Sequence, residues 1–318
     1  MQPAVCFAFV KQLWERGGDA QREALERLRG FVLEPLAVQD HDLAAKAWLK
    51  LGQWQRAMLD ADAQGAVLLE ARAAAPILQS LQKATELTPA SYKAWHLWAM
   101  INFEVARLMA TRTLCSPCSC LPCLPCLPCL LVLTVALVSS LWLSLLLQVI
   151  AQNDGARYVV PAVRGFSRSI ALGGEGVALQ DILRLLTLWF QFGEGAEVHA
   201  AVREGVDAIA VDTWLAVIPQ VIARIHSPTP LVRRSVHALL DRVAEEHPQG
   251  LIYPLTVASK SDSEARRGAA LAVLGKIRTR CDTLVEQAAS TYRGLRYTCS
   301  LLSMLTMALL TIHYGPAH

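Results

Sequence analysis

Between Asp212 and Lys260 apolar residues recur at helical spacing, and the pattern then repeats. Ile218, Ile222 and Ile225 share one face of a helix. Val232, Val236, Leu239, Leu240 and Val243 form the stripe of the next. Arg233, Val236, Leu240 and Val243 are echoed by Arg267, Ala270, Leu274 and Ile277, about 34 residues on. A helix pair with so much apolar surface must bury it against neighbouring pairs. The pattern therefore predicts an all-α fold, an α-α superhelix or solenoid. The punctuation agrees. Asp212 suits the N-cap of one helix, Pro230 opens the next, Pro248 restarts the chain, and Ser261 or Asp262 caps the helix after that.

The rest of the chain reads in the same way, apart from one stretch. Lys11 to Arg29 is predicted as one amphipathic helix stopped by Gly30. Asp40 to Met58 follows, with Ala44, Trp48 and Leu51 on its buried side and Gly52 allowing a close crossing. Ala66 to Glu86 is a helix interrupted or kinked at Pro76, and Ser91 caps Tyr92 to Arg107. Helix, short turn, helix is the order of tetratricopeptide-like pairs. Trp95 and Trp98, three apart, read as packing residues. After the break come Tyr158 to Ala171, Leu179 to Phe192, Glu197 to Ala210 and Thr213 to Ile225, the last kinked at Pro219. Leu231 to Glu246, Gln249 to Ser259 and Ser263 to Thr279 continue the stack in HEAT-like repeats. The predicted organisation is 1–110 tetratricopeptide-like, 111–152 an insert, 153–290 HEAT-like, and 291–318 an apolar tail.

The insert accounts for an unusual composition. Hydrophobic residues make up 53% of the chain and charged residues 18%, which is high for a soluble protein, and the excess is local. Leu-Pro-Cys repeats up to Cys129, and Pro at every third residue excludes an ordinary helix. An uncharged run, Leu130 to Ala151, is long enough to span a bilayer. Three readings stand: a membrane span behind palmitoylatable cysteines, a metal site, or a low-complexity insert. The third leads, because both flanks read as one continuous solenoid and a single span would part them across a membrane. Zinc needs four ligands on a formed turn, which a Pro-interrupted ladder does not supply. Six of the nine cysteines lie here and no framework spans the chain, so a reducing, cytoplasmic compartment is expected. The N-terminus lacks the basic region of a signal peptide. A net charge of +3, spread along the chain, gives no case for nucleic acid.

Several long strings carry a family resemblance. Tyr158 to Phe166, Leu179 to Phe190, Asp212 to Ile225 and Leu251 to Lys260, with Trp48 to Gln55 and Tyr92 to Val105 upstream, resemble the FAT region of the target-of-rapamycin (TOR) protein kinases. The likeness covers roughly Asp42 to Val105 and Tyr158 to Ala289, and stops near Thr291, before the family's rapamycin-binding and kinase domains. The resemblance implies a scaffold that clamps the kinase domain and contacts the other subunits of TOR complexes. It implies a cytoplasmic location, with nuclear and endomembrane pools in the family. The alternative is a membrane-anchored helical-repeat protein with its span at 130–151.

No chemistry is written in the chain itself. The Gly-rich loop, nucleotide-pairing Lys, catalytic Asp and Asp-Phe-Gly of a protein kinase do not occur, nor does a Ser-His-Asp, HExxH or Walker pattern. His41, His96, His199, His226, His237 and His247 read as isolated. No catalytic residue, metal ligand or obligatory cofactor is expected. One site follows from the resemblance. The family's FAT solenoid holds an inositol polyphosphate on lysines and arginines, and the matching positions are Lys46, Lys50 and Lys93. Lys46 and Lys50 are one helical turn apart on one face. Inositol hexakisphosphate is the implied structural ligand, against the plain alternative of ordinary surface lysines.

Overall fold

The computed structural model describes residues 2–34, 40–62, 71–114, 156–173 and 178–279, with 282–283, 285–287, 290–291 and 293–294 beyond them. The insert's Cys-rich ladder, the run 130–151 and the tail 295–318 lie outside the described residues. Among the described residues every regular element is a helix, and no helix is long and apolar enough to cross a membrane. The chain forms two compact units, Met1–Ile209 and Ala210–His318. The first takes in helices on both sides of residues 111–152.

The first unit opens with α1 (Pro3–Glu15) and α2 (Asp19–Phe31). One helix was expected over Lys11 to Arg29. Gly17 and Gly18, at φ +77° and +56°, reverse the chain in a region L side chains avoid, and split it in two. α3 (His41–Asp62) is capped by Asp40, whose Oδ1 accepts from Leu43 N at 3.0 Å. α4 (Ala71–Leu87) runs on through Pro76 as a single helix. α5 (Tyr92–Leu114) is capped by Ser91 Oγ, which accepts from Ala94 N at 3.4 Å. Then come α6 (156–172), α7 (Ala178–Phe192) and α8 (Ala196–Ala208).

Among the described residues, two apolar clusters help to hold this unit. Phe7, Val10 and Leu13 of α1 meet Leu25, Leu28 and Phe31 of α2 and Leu51 and Trp54 of α3. Trp14 stacks flat on Trp54 at 4.4 Å. Ile77, Leu81, Ile101 and Val105 make the second cluster. Burying each such side chain contributes about 1.5–3 kcal/mol. Glycines set the closest approaches. A Cβ at Gly52 would lie 2.7 Å from the Leu81 side chain, one at Gly165 2.8 Å from Ala99 Cβ, and one at Gly205 would overlap Ser167 Oγ. Trp95 and Trp98 meet edge to face at 5.8 Å, and Trp95 Nε1 donates to Pro89 O, so both pack as expected.

The second unit begins with two short helices, α9 (Val211–Leu215) and α10 (Ile218–Ile222), where one kinked helix was expected. Pro219 sits in the first turn of α10 and starts a new helix rather than bending an old one. Asp212 lies inside the first turn of α9, and the N-cap is Ala210. α11 (Pro230–Glu246), α12 (Pro248–Ala258) and α13 (Glu264–Arg278) follow, with Pro230 and Pro248 opening their helices. The cap of α13 is Ser263, one residue past the expected pair, and its Oγ accepts from Arg266 N. The predicted stripe Val232, Val236, Leu239, Leu240 and Val243 is buried throughout, as are Ala270, Leu274 and Ile277.

The repeat extends to single hydrogen bonds. Arg233 donates from NH1 to Ser227 O at 3.2 Å, and Arg267 donates from NH1 to Ser261 O at 3.4 Å. The backbone N–H of each arginine donates to the cap residue's carbonyl, Thr229 or Ser263. Lys276 of α13 then reaches Asp241 of α11 at 2.7 Å.

Candidate functional site

Three helices of the first unit carry lysines that act on one another. Lys50, on α3, is half-buried, because the neighbouring Ala47 and Leu51 turn that part of the helix into the core. Burial holds the Lys50 ammonium below the ordinary lysine value, and the positive charges of Lys93 and Lys11 lower it further. Lys93 stands exposed near the start of α5. Lys11 stands exposed on α1, its ammonium 4.6 Å from the centre of the Phe7 ring. Lys46 is exposed one turn before Lys50 on α3.

Lys50 thus feels the charge of Lys93 on another helix, and Lys46 lies on the same helix as Lys50. The structure adds Lys11, which the sequence did not mark. Among the described residues none of Lys11, Lys50 and Lys93 forms an ion pair with a carboxylate. The signal for Lys11 is tertiary: α1 packs its Phe7, Val10 and Leu13 into the core that also holds Leu51 and Trp54 of α3.

A second polar feature ties α5, α6 and α7 together. Asp181 is fully buried on α7. His96 Nδ1 lies 2.9 and 2.8 Å from its two oxygens. Ser169 Oγ donates to Oδ2 at 2.8 Å, and Arg184 NH1 donates to Oδ1 at 3.2 Å. The Tyr92 ring stacks on His96 at 5.6 Å. Burial and then the Asp181 charge push the Tyr92 phenol up, with Arg184 acting against them. His96, expected to stand alone, is therefore bound to a buried carboxylate. Its partner lies 85 residues away in sequence, beyond the reach of any local pattern. Every partner of Asp181 is a donor, so the arrangement satisfies a buried charge and locks three helices. His247 is not isolated either: its Nε2 pairs with Asp212. His237 Nε2 lies 3.0 Å from Ile225 O.

Comparison with known proteins sets this architecture in a family. Residues 1–187 match the FAT domain, and residues 197–292 match the HEAT repeats of ATR-like serine/threonine-protein kinases. The chain is 40% identical over 298 residues to the serine/threonine-protein kinase mTor of Drosophila melanogaster, covering 90% of this chain and 11% of that protein. It is 35% identical over 315 residues to the serine/threonine-protein kinase TOR2 of Saccharomyces cerevisiae, covering 90% of this chain and 12% of that protein. Among solved structures, the FAT and kinase domain of CtTel1 superposes with a TM-score of 0.57 at 14% identity, over 87% of this chain and 19% of that chain, which speaks to the fold alone. The chain spans about a tenth of the length of these curated relatives. The helical solenoid, the matched blocks and the order in which they occur show that the chain belongs to the FAT domain family, in the form found in TOR serine/threonine-protein kinases.

Proposed function

We propose that the chain is the helical scaffold of a TOR-like kinase: it braces the kinase domain of the parent protein, presents a surface to the other complex subunits, and binds inositol hexakisphosphate as a structural ligand. What supports the ligand reading is the half-buried Lys50 on α3, which feels the charges of Lys93 and Lys11, with no carboxylate paired to any of the three among the described residues. Lys46 extends the same basic surface along α3. The ligand's phosphates would offset repulsion that the folded chain otherwise bears, at about 1.5–3 kcal/mol for each charge-assisted hydrogen bond gained. Because α1, α3 and α5 each contribute a cation, one bound molecule would fasten three helices. This reading places the chain in the cytoplasm, where such polyphosphates occur.

Titration calorimetry with inositol hexakisphosphate tests it. Wild type should bind, and Lys50→Ala with Lys93→Ala should weaken binding at least as much as Lys46→Ala. Unaltered binding in the double variant would discard the site. The scaffold reading is tested separately, by co-purification of the chain with the kinase domain of its own parent protein.

A further inference from the structure

One exposed turn of the second unit, between α10 and α11, reads Ser227-Pro228-Thr229-Pro230. Both prolines are exposed and Thr229 is half-buried. Thr229 precedes α11 in extended conformation, φ −71° and ψ 113°, and its side chain makes no capping hydrogen bond. The following proline enforces that extension and offers no N–H. A threonine held extended before an exposed proline is the form of substrate that a proline-directed kinase accepts.

The next repeat shows what Thr229 lacks. Its counterpart is Ser263, whose Oγ accepts from Arg266 N and is followed by the acidic Glu264. The start of α13 therefore has a hydroxyl cap and an anion in its first turn. α11 has neither: its first turn holds no acidic residue and its cap hydroxyl is idle. It has two arginines instead. Arg233 donates to Ser227 O, and Arg234 donates through Nε to Pro230 O at 3.4 Å. Both are exposed, within reach of the turn.

We propose that Thr229 is a phosphorylation site for a proline-directed protein kinase. Thr229 Oγ1 attacks the γ-phosphorus of ATP. The bond from that phosphorus to the bridging oxygen breaks, ADP leaves, and the hydroxyl proton passes to the kinase's base. The phosphate then supplies the negative charge that Glu264 gives the later repeat. It sits at a helix N-terminus, with the Arg233 and Arg234 guanidinium groups to pair with. Ser227 is the poorer acceptor, because its N–H donates to Arg224 O and its carbonyl accepts from Arg233, which pins the backbone on both sides.

The full chain, incubated with ATP and a purified proline-directed kinase, should gain one phosphate, located by fragment mass spectrometry on Thr229. Thr229→Ala should remove it, Thr229→Ser should restore it, and Ser227→Ala should leave it unchanged. Phosphorylation should slow amide exchange in the first turn of α11 in wild type and fail to do so in Arg233→Ala with Arg234→Ala. Phosphate on Ser227 would overturn the proposal. So would an unlabelled folded chain beside a labelled peptide of residues 222–236, or unchanged exchange in the phosphorylated wild type.

Discussion

The two units solve helix packing by different means. In the first, crossings are fixed by particular contacts. Gly52, Gly165 and Gly205 let helices approach where a methyl group would collide. Asp181 collects donors from three helices at once. Arg56 of α3 reaches Glu104 of α5 at 2.6 Å. In the second, one stripe and one arginine hydrogen bond are used twice, and the helices follow from the repeat. A contact-specified unit depends on single residues that nothing replaces. A repeat-specified unit spreads the same task over equivalent positions, in the manner of a nearest-neighbour stack. Loss of one contact should therefore cost the first unit more than the second.

The sharpest way to break the comparison is Asp181→Ala. It takes the shared acceptor from His96 and Arg184 and leaves the Ser169 hydroxyl only Phe166 O. The expected cost is about 3–5 kcal/mol, the range for removing one partner of a buried charged group. Hydrogen exchange should show it as lost protection in α5, α6 and α7. Unchanged protection there would mean that apolar packing alone sets these crossings.

Next in size is a pair within the second unit. Leu239 is fully buried in the α11 stripe, and Leu239→Ala should cost about 2–5 kcal/mol. Leu271, on α13 of the following repeat, is 53% exposed, and Leu271→Ala should stay within about 0.5 kcal/mol. Urea unfolding of the two variants gives the contrast directly. A matching loss at Leu271 would mean that its face is covered in solution.

The same difference decided what could be read in advance. The second unit was legible because its information is periodic. Val232, Val236, Leu239, Leu240 and Val243 announce a buried stripe, and Arg267 to Ile277 repeat it. Gly52 was also legible, since a glycine inside a helical pattern points to a close neighbour. The node at Asp181 was not, because its partners are set by tertiary packing and each looks unremarkable locally. For the same reason Lys50 and Lys93 could be paired only by resemblance, and Lys11 not at all. The short-range errors have local causes. Gly17 and Gly18 reverse the chain where the pattern points to Gly30 as the helix stop, and Pro219 opens a first turn, the place proline favours, where the pattern points to a kink.

A smaller effect probes the lysines. The Lys50 ammonium sits below its ordinary value of 10.5, so the folded chain sheds that proton before the unfolded chain does. Without ligand, the charged form opposes folding below the depressed value, and stability should rise as pH climbs from there towards the ordinary one. With a polyanion bound the sign reverses, because the ligand favours the ammonium. Affinity for inositol hexakisphosphate should fall across that alkaline window, by about 1.5 kcal/mol for one lost charge-assisted bond. Binding there should take up protons, seen as a heat that changes with the ionisation enthalpy of the buffer. Lys50→Arg, which keeps its charge throughout, should flatten the profile.

The smallest effect tests the repeat itself. Arg233 and Arg267 hold equivalent posts, each donating to a serine carbonyl six residues back, and both lie near the surface. A bond of this kind is worth about 0.5–1.5 kcal/mol when buried, and exposure should put each near the lower end. Arg233→Ala and Arg267→Ala should therefore cost similar, small amounts. They lie on successive repeats and share no hydrogen-bond partner, so the double variant should show the sum of the two to within about 0.5 kcal/mol. Arg267 also has Glu264 3.9 Å away, an exposed contact that adds little. Unequal losses would show that the sequence echo is not an energetic one. Strong coupling between the two would show that the second unit, like the first, relies on contacts that cannot be counted one repeat at a time.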